Sequence, residues 1–178
     1  MKTKQSAATL NMVQAAIIAA LYVAVNYAQE MLLPSTTTGT VQFRLSEVLC
    51  VLVVFLPAAI PGVTVGCLLS NLVVVGVLPL DMLLGTLATL LAAICGYKLR
   101  NVKVFSVPIL SLLMPVVFNA VIIGLELEIF YIEGAFTTLG FLVQAGFVAL
   151  GEFVVCVVLG TPFYLMLSKS RIFNRKNV

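Results

Sequence analysis

Long runs of apolar residues are the feature of this chain that most constrains its fold. Of its 178 residues, 62% are hydrophobic and only 10% are charged, whereas a soluble domain is about 25% charged. A helix needs about 20 apolar residues to cross a bilayer. The runs predict six transmembrane helices, at about residues 7–28, 45–56, 62–77, 82–99, 104–125 and 139–167. We therefore expect an all-α integral membrane protein in which residues 1–178 form a single transmembrane domain.

The connections between these helices are short, and this excludes several classes of function. Too few residues remain for an ATPase, a nucleic-acid-binding domain or a large catalytic domain, and there is no GxxxxGK[ST] phosphate loop. The chain has no His, so the commonest general base and metal ligand is missing. Its four cysteines lie in apolar runs without a CxxC pair, which indicates buried small side chains. We expect no metal, no cofactor, no enzymatic activity and no nucleic-acid partner.

Two features of the first half of the chain allow an alternative interpretation. The second and third helices are short and are separated only by PAAIPG at residues 57–62, where two prolines and a glycine predict a sharp turn. One long broken element is the alternative to two helices. Lys2 and Lys4 before the first apolar run would also suit a cleavable signal peptide. However, the run is long, and no clear cleavage site is followed by a soluble domain.

The distribution of charge predicts the orientation in the membrane. Cations in short loops favour the cytoplasmic side, and nine of the ten cations fall in the two tails or in loops on the same side as the tails. The tenth is Arg44. The opposite side carries Glu30, Asp81, Glu126, Glu128 and Glu133. The sequence therefore predicts a multi-pass protein of the cell membrane with both termini in the cytoplasm, which also requires an even number of helices.

Three helices carry small residues spaced four apart, which places them on one helix face. Such a strip lets another helix approach closely. The strips are Ala16, Ala20 and Ala24 on the first helix, Gly62, Gly66 and Ser70 on the third, and Ala88, Ala92 and Gly96 on the fourth. Each strip suits either packing inside the bundle or a partner surface, and the sequence leaves open which strip faces outward.

Polar side chains inside membrane helices are costly and therefore indicate functional sites. Four of them lie five or six residues from the predicted outer ends of their helices, at a depth of roughly 7 to 9 Å: Glu47, Asn71, Asn119 and Gln144. This shared layer predicts an outward-opening polar pocket for a flat solute that forms hydrogen bonds.

Further residues near this layer have more than one interpretation. Aromatic rings for stacking on a planar ligand, or for simple packing, are available from Phe43, Phe118, Tyr131, Phe141 and Phe147. Arg44 lies three residues from Glu47, so the two suit an internal ion pair. Glu152 lies about 13 residues deep, which suits proton coupling or a structural hydrogen bond across the bundle. The segments 29–40 and 126–138 are either lids over the pocket or plain solvated loops.

Six segments resemble one known family, in order and with the expected spacing. They are VQFRLSEVL (41–49), PAAIPG (57–62), GCLLSNL (66–72), DMLLGTLATLLAA (81–93), FNAVIIGLEL (118–127) and ALGE (149–152). Together they are similar to the QueT family, the substrate-binding S components of energy-coupling factor (ECF) transporters, and the likeness covers about residues 10–168. The resemblance implies a six-helix S component that captures a queuosine precursor, a 7-deazaguanine derivative or queuine, at an outward-facing site.

The resemblance also implies partners and a chemistry for the pocket. S components work with a transmembrane coupling subunit and two ABC-type ATPases, and alanines four apart on their first helix contact the coupling subunit. Here these are Ala16, Ala20 and Ala24. One carboxylate can accept the adjacent N1-H and 2-amino donors of a deazaguanine, while amides bind its O6. We expect Glu47 to be this carboxylate, with Asn71, Asn119 and Gln144 as amide partners and Glu126, Asp81 and Glu152 as secondary acids. A second acid would favour the cationic 7-aminomethyl form.

Alternatives to this function remain open at the sequence level, because a fold does not determine its ligand. The chain would also suit an S component for another vitamin or nucleobase. A proton-coupled carrier or membrane enzyme built around Glu152, and a purely structural membrane subunit, are alternatives from other classes.

Overall fold

The chain folds into a bundle of helices. The computed structural model describes residues 2–34, 36, 43–73, 79–132, 135–170 and 173, and the side chains of these residues except 2–6, 73 and 81. The elements are α1 (Lys2–Leu32), a 3₁₀ helix (Leu45–Val54), α2 (Ala59–Val73), α3 (Pro79–Leu99), α4 (Ile109–Glu126), α5 (Thr138–Phe153) and α6 (Gly160–Lys169). A π-helical turn, Leu127–Tyr131, extends α4, and a second, Val154–Leu159, joins α5 to α6 in one continuous helix.

Six helices are therefore present, and no strand occurs in the described ranges. Four segments are long and apolar enough to cross a membrane, namely Ala7–Leu32, Met82–Leu99, Ile109–Tyr131 and Thr138–Lys169. The other two apolar helices, Leu45–Val54 and Ala59–Leu72, are shorter. The prediction of an all-α membrane protein with two short helices in its first half is confirmed.

The 3₁₀ helix is the central element of the bundle. Seven of its ten residues are buried, from Ser46 to Val53, and it contacts α1, α2, α3, α4, α6 and the π-helical turn between α5 and α6. A 3₁₀ helix rises about 2.0 Å per residue, so ten residues span about 20 Å rather than the 15 Å of an α-helix. This tighter winding lets a short segment reach across much of the bundle.

Two helix starts differ from the sequence-based expectation. α2 begins at Ala59, not after the PAAIPG segment. Pro61 is accommodated because the first turn of a helix needs no N–H donors. α4 begins at Ile109, not at residue 104, because Pro108 disfavours a helical conformation in the residue before it. The residues before it form a tight turn in which Val104 and Val107 exchange backbone hydrogen bonds of 2.9 and 3.0 Å.

Close helix contacts depend on glycine. A Cβ added at Gly66 of α2 would lie 2.6 Å from the Tyr22 Cβ of α1, so only glycine permits the observed approach of these two helices. Between α3 and α4, the Ser111 hydroxyl donates to the Gly96 carbonyl over 2.8 Å. Two of the three small-residue strips, those on α2 and α3, therefore serve packing inside the bundle.

The helices alternate in direction, so both ends of the described chain lie at the same end of the bundle. Asn11 of α1 and Pro57 line one cavity there, and Pro57 lines a second cavity with Phe173. We call this the tail end, and the opposite end, where α1 finishes and α5 begins, the far end. Which end faces the cytoplasm is a prediction from the charges.

Candidate ligand-binding site

A buried carboxylate lies at the centre of the bundle. Glu47 of the 3₁₀ helix is 1% exposed. Its Oε1 accepts hydrogen bonds from the Tyr22 hydroxyl of α1 (2.6 Å) and the Thr89 hydroxyl of α3 (3.1 Å). The Cys50 thiol approaches Oε2 to 3.1 Å. Each carboxylate oxygen has about two acceptor positions, and the two hydroxyls occupy those of Oε1.

Arg44 and Asn71 approach the same region from neighbouring elements. Arg44 precedes the 3₁₀ helix, and its guanidinium interacts electrostatically with Glu47 and Glu152. A Cβ added at Gly85 of α3 would lie 3.2 Å from the Asn71 amide nitrogen and 3.6 Å from an Arg44 nitrogen. The two donors therefore converge over a helix surface that glycine leaves open. The Asn71 amide also lies 3.8 Å from the Cys67 sulfur.

A second buried carboxylate completes the cluster. Glu152, near the end of α5, is 2% exposed, and its carboxyl group lies close enough to the Asn119 side chain of α4 to interact with it. The Cys156 thiol lies 3.4 Å from a Glu152 oxygen and 3.7 Å from the Glu47 backbone carbonyl. The structure thus brings Glu152 close enough to Glu47 for the two carboxylates to interact electrostatically.

We define the central cluster as Tyr22, Arg44, Glu47, Asn71, Thr89, Asn119 and Glu152. It contains two carboxyl groups, one guanidinium, two amides and two hydroxyls. These groups together can recognise a flat polar solute from several directions. In the part of the chain that the structure describes, no three Cys, Asp or Glu side chains are grouped to hold a metal ion.

Glu47 lies deeper than the residue count from its helix end predicts. Its partners Tyr22 and Thr89 are each ten residues from the far end of their own helices, which is about 15 Å. The reason is that the chain is already inside the bundle before the 3₁₀ helix begins. There the Gln29 side chain bonds to the Phe43 carbonyl and accepts from the Leu45 N–H over 2.8 Å.

The remaining candidate residues lie outside the central cluster. Phe43 packs beside it, against Val116 and Cys156. Gln144 is half-buried on α5 and makes no hydrogen bond to the described cluster side chains. Glu126 is buried near the end of α4, and Tyr131 is 46% exposed at the far end. The Asp81 side chain lies outside the described residues, as do parts of both candidate lids, 29–40 and 126–138.

Two cluster members, Tyr22 and Thr89, were missed by the sequence analysis. Tyr22 lies in a run of alanines and aliphatic residues, where a single aromatic ring resembles core. Thr89 lies among leucines and alanines, and a lone threonine in a membrane helix usually bonds its own backbone. Only the position of Glu47 opposite both hydroxyls reveals their role.

One small-residue strip faces outward. Ala16, Ala20 and Ala24 of α1 are exposed, whereas Ile18, Ala19 and Tyr22 on the other side of the helix are buried. The buried side contacts α2 at Gly62 and Gly66. Of the three strips, only that on α1 is available to a partner.

These observations define a multi-pass membrane protein that encloses a polar cluster within its helices. Comparison with known families agrees with this class. The model of the QueT transporter family matches residues 12–169, and the chain belongs to the QueT transporter family. No curated protein and no solved structure matches it. Membership in a transporter family fits the expectation that the chain is not an enzyme.

Proposed function

We propose that the chain is the substrate-binding S component of an ECF-type importer and that it captures a queuosine precursor, either a 7-deazaguanine derivative or queuine. Membership in the QueT family supports the transport role. The observation that carries the choice of ligand is the Glu47 carboxylate, which Tyr22 and Thr89 hold in one orientation inside a polar cluster. An oriented carboxylate is the acceptor that the adjacent N1-H and 2-amino donors of a deazaguanine require.

Each cluster residue has a role in this proposal. Glu47 accepts from the ligand, the Asn71 and Asn119 amides donate to its O6 acceptor, and Phe43 stacks on its ring. Arg44 balances the two carboxylates, and Glu152 is the second acid that favours a cationic 7-aminomethyl group. The path between the far end and the cluster has four candidate ligand contacts: Gln144, Glu126, Asp81 and Tyr131. Because Glu47 is 1% exposed, a ligand reaches it only after the helices around the cluster open.

The partners in this proposal are a transmembrane coupling subunit and two ABC-type ATPases. The outward strip of Ala16, Ala20 and Ala24 is our proposed contact with the coupling subunit. Towards the tail end, α1 borders a groove of about 410 Å³ that is lined by Met12, Ala15 and Pro61, among others. Small side chains beside a groove permit close helix approach. The positive charge of the tail-end loops supports an orientation with both termini in the cytoplasm.

Equilibrium binding to the detergent-purified protein tests the ligand. We expect tight binding of a 7-deazaguanine base, with guanine and riboflavin as comparison ligands. Glu47→Gln should weaken binding at least about tenfold, because hydrogen bonds to a charged acceptor are among the strongest. Glu30→Gln, which changes a half-buried acid at the far end of α1, is the matched control. Failure of every deazaguanine to bind, with the protein folded, would reject this cargo.

A second candidate function rests on Glu152. A buried carboxylate beside a second one can hold a proton, so a proton-coupled carrier is the main alternative. It differs from the S component in its energy source, and the uptake experiment described in the Discussion separates the two.

A further inference from the structure

A second polar cavity lies at the tail end of the bundle, remote from the central cluster. It has a volume of about 430 Å³, and its walls include Phe55, Tyr97, Arg100, Asn101 and Phe173. We call it the tail-end pocket. Arg100 follows α3 eleven residues after Thr89 of the central cluster, so the two sites are about 16 Å apart along the helix axis.

Arg100 is held in place by Tyr97, in the last turn of the preceding helix α3. Its guanidinium carbon lies 3.7 Å from the centroid of the Tyr97 ring, and one N–H donates to the Tyr97 carbonyl over 2.6 Å. A guanidinium has five N–H donors. Within the described part of the chain, Tyr97 supplies all of its polar contacts. The pocket is therefore lined by an oriented cation with spare donors.

Three aromatic rings, those of Phe55, Tyr97 and Phe173, also line the pocket. The rings of Phe55 and Phe173 lie with their centroids 4.9 Å apart on one side of the pocket. An oriented guanidinium beside aromatic rings suits a ligand that has both an anionic and an apolar part. Guanidinium groups match phosphate geometry well, because two parallel N–H donors can bind two oxygens.

The position of the pocket indicates which kind of phosphate-containing ligand could reach it. The surrounding surface is basic, with Lys98 and Lys103 near the end of α3 and Lys169 at the end of α6. The distribution of these cations predicts that the tail end faces the cytoplasmic leaflet, where anionic lipids attract basic segments. Basic pockets between helices on this side of a membrane bind lipid headgroups.

We propose that the tail-end pocket binds the phosphate group of an anionic phospholipid, with Arg100 as the phosphate ligand and Phe55 and Phe173 against its apolar part. This proposal is independent of the ligand of the central cluster. It assigns a lipid site to a surface that the transport proposal does not use.

Native mass spectrometry of the full chain in detergent, with added phosphatidylglycerol, tests the proposal. We expect Arg100→Gln to lower the affinity for phosphatidylglycerol at least about tenfold, because a charge-assisted contact is lost. The affinity of Arg100→Lys should lie between those of the parent protein and Arg100→Gln, since lysine keeps the charge but lacks the planar guanidinium. Lys103→Gln removes an exposed cation of the same connection that does not line the pocket, and it should leave the affinity nearly unchanged.

Two comparison ligands distinguish the sources of the phosphate group. Phosphatidylcholine at the same concentration should bind much more weakly than phosphatidylglycerol, and inorganic phosphate should not compete at millimolar concentration. Effective competition by inorganic phosphate, or equal losses in Arg100→Gln and Lys103→Gln, would overturn the proposal. If Arg100→Gln does not fold, Phe173→Ala tests the same pocket: reduced phosphatidylglycerol binding supports it, and unchanged binding overturns it.

Discussion

At the scale of single residues, the carboxylate of Glu47 is controlled by two hydroxyl groups from different helices. The Tyr22 bond is short, at 2.6 Å, and both partners are buried. A hydrogen bond to a charged group is worth about 1.5–3 kcal/mol. The hydroxyls therefore fix which oxygen of Glu47 faces the rest of the cluster, although on the proposed function neither touches the ligand.

Tyr22→Phe tests this positioning role. The variant keeps the ring that packs against Gly66 but loses the hydroxyl, so we expect a similar melting temperature and about tenfold weaker deazaguanine binding. Tyr27→Phe, on the exposed side of the same helix, is the control and should match the parent protein. Unchanged affinity in Tyr22→Phe would show that Glu47 needs no orientation by α1.

Glu128, a carboxylate outside the central cluster, has a structural role at the far end. One Glu128 oxygen accepts from the Thr137 N–H (3.1 Å) and the Thr137 hydroxyl (2.9 Å). The Thr137 side chain in turn accepts from the Gly140 N–H over 3.0 Å and caps α5. Negative charge is favourable at a helix N-terminus, so Glu128 fastens the end of α4 to the start of α5.

Gly140→Ala should break this fastening. The new Cβ would overlap the Glu128 carboxylate, and we expect a loss of about 1–3 kcal/mol in unfolding free energy, as is typical of overpacking. Gly146→Ala on the same helix is the control, because nothing lies within 4 Å of its Cβ position. It should be neutral or stabilising by up to about 1 kcal/mol. Thermal unfolding in detergent measures both, and an equal effect of the two changes would contradict the contact.

At the scale of elements, α1 has two faces with different tasks. One face packs on α2, where a Cβ at Gly66 would lie 3.2 Å from the Ala19 Cα. The opposite face exposes Ala16, Ala20 and Ala24. The same substitution at the adjacent residues Ala19 and Ala20 can therefore test packing on α2 and the proposed partner contact separately.

Ala19→Leu and Ala20→Leu form this pair. Ala19→Leu should lower the melting temperature and weaken ligand binding, because it separates α1 from α2. Ala20→Leu should leave both unchanged and instead prevent co-purification with the coupling subunit, because a larger side chain prevents close helix approach. An Ala20→Leu variant that still assembles and transports normally would exclude the strip as the contact.

The elements also show what the sequence could predict. The apolar runs, together with the two prolines of residues 57–62, were sufficient for the helix count, although only four of the six helices are long enough to cross a bilayer. They did not reveal the 3₁₀ winding of Leu45–Val54, since an apolar run has the same composition in either helix type. Glu47 was identified as a candidate from its cost in a membrane, but its depth was underestimated because the contacts that hold Phe43 and Leu45 inside the bundle leave no periodic signal in the sequence.

At the scale of the whole molecule, the proposed function rests on how the central cluster is distributed over the bundle. The central cluster takes side chains from α1, the 3₁₀ helix and α2 to α5. A protein built this way is suited to hold a solute until a partner releases it.

Uptake in proteoliposomes tests this interpretation. The chain alone should bind a deazaguanine but accumulate none, with or without a proton gradient. Together with a coupling subunit and two ATPases it should accumulate the ligand in an ATP-dependent manner. Accumulation by the chain alone that collapses with the proton gradient, and is lost in Glu152→Gln, would instead establish the carrier.

Because Tyr22 bonds to Glu47, one turn of α1 carries both a contact to the central cluster and the proposed contact with the coupling subunit. On the proposed function, the Tyr22 hydroxyl contacts Glu47, which binds the solute, while Ala20 and Ala24, two residues to either side, contact the coupling subunit. The solute site and the contact with the coupling subunit are then separated by only one helix diameter, about 10 Å. By thermodynamic linkage, binding of the solute and binding of the coupling subunit must change each other's affinity by the same factor.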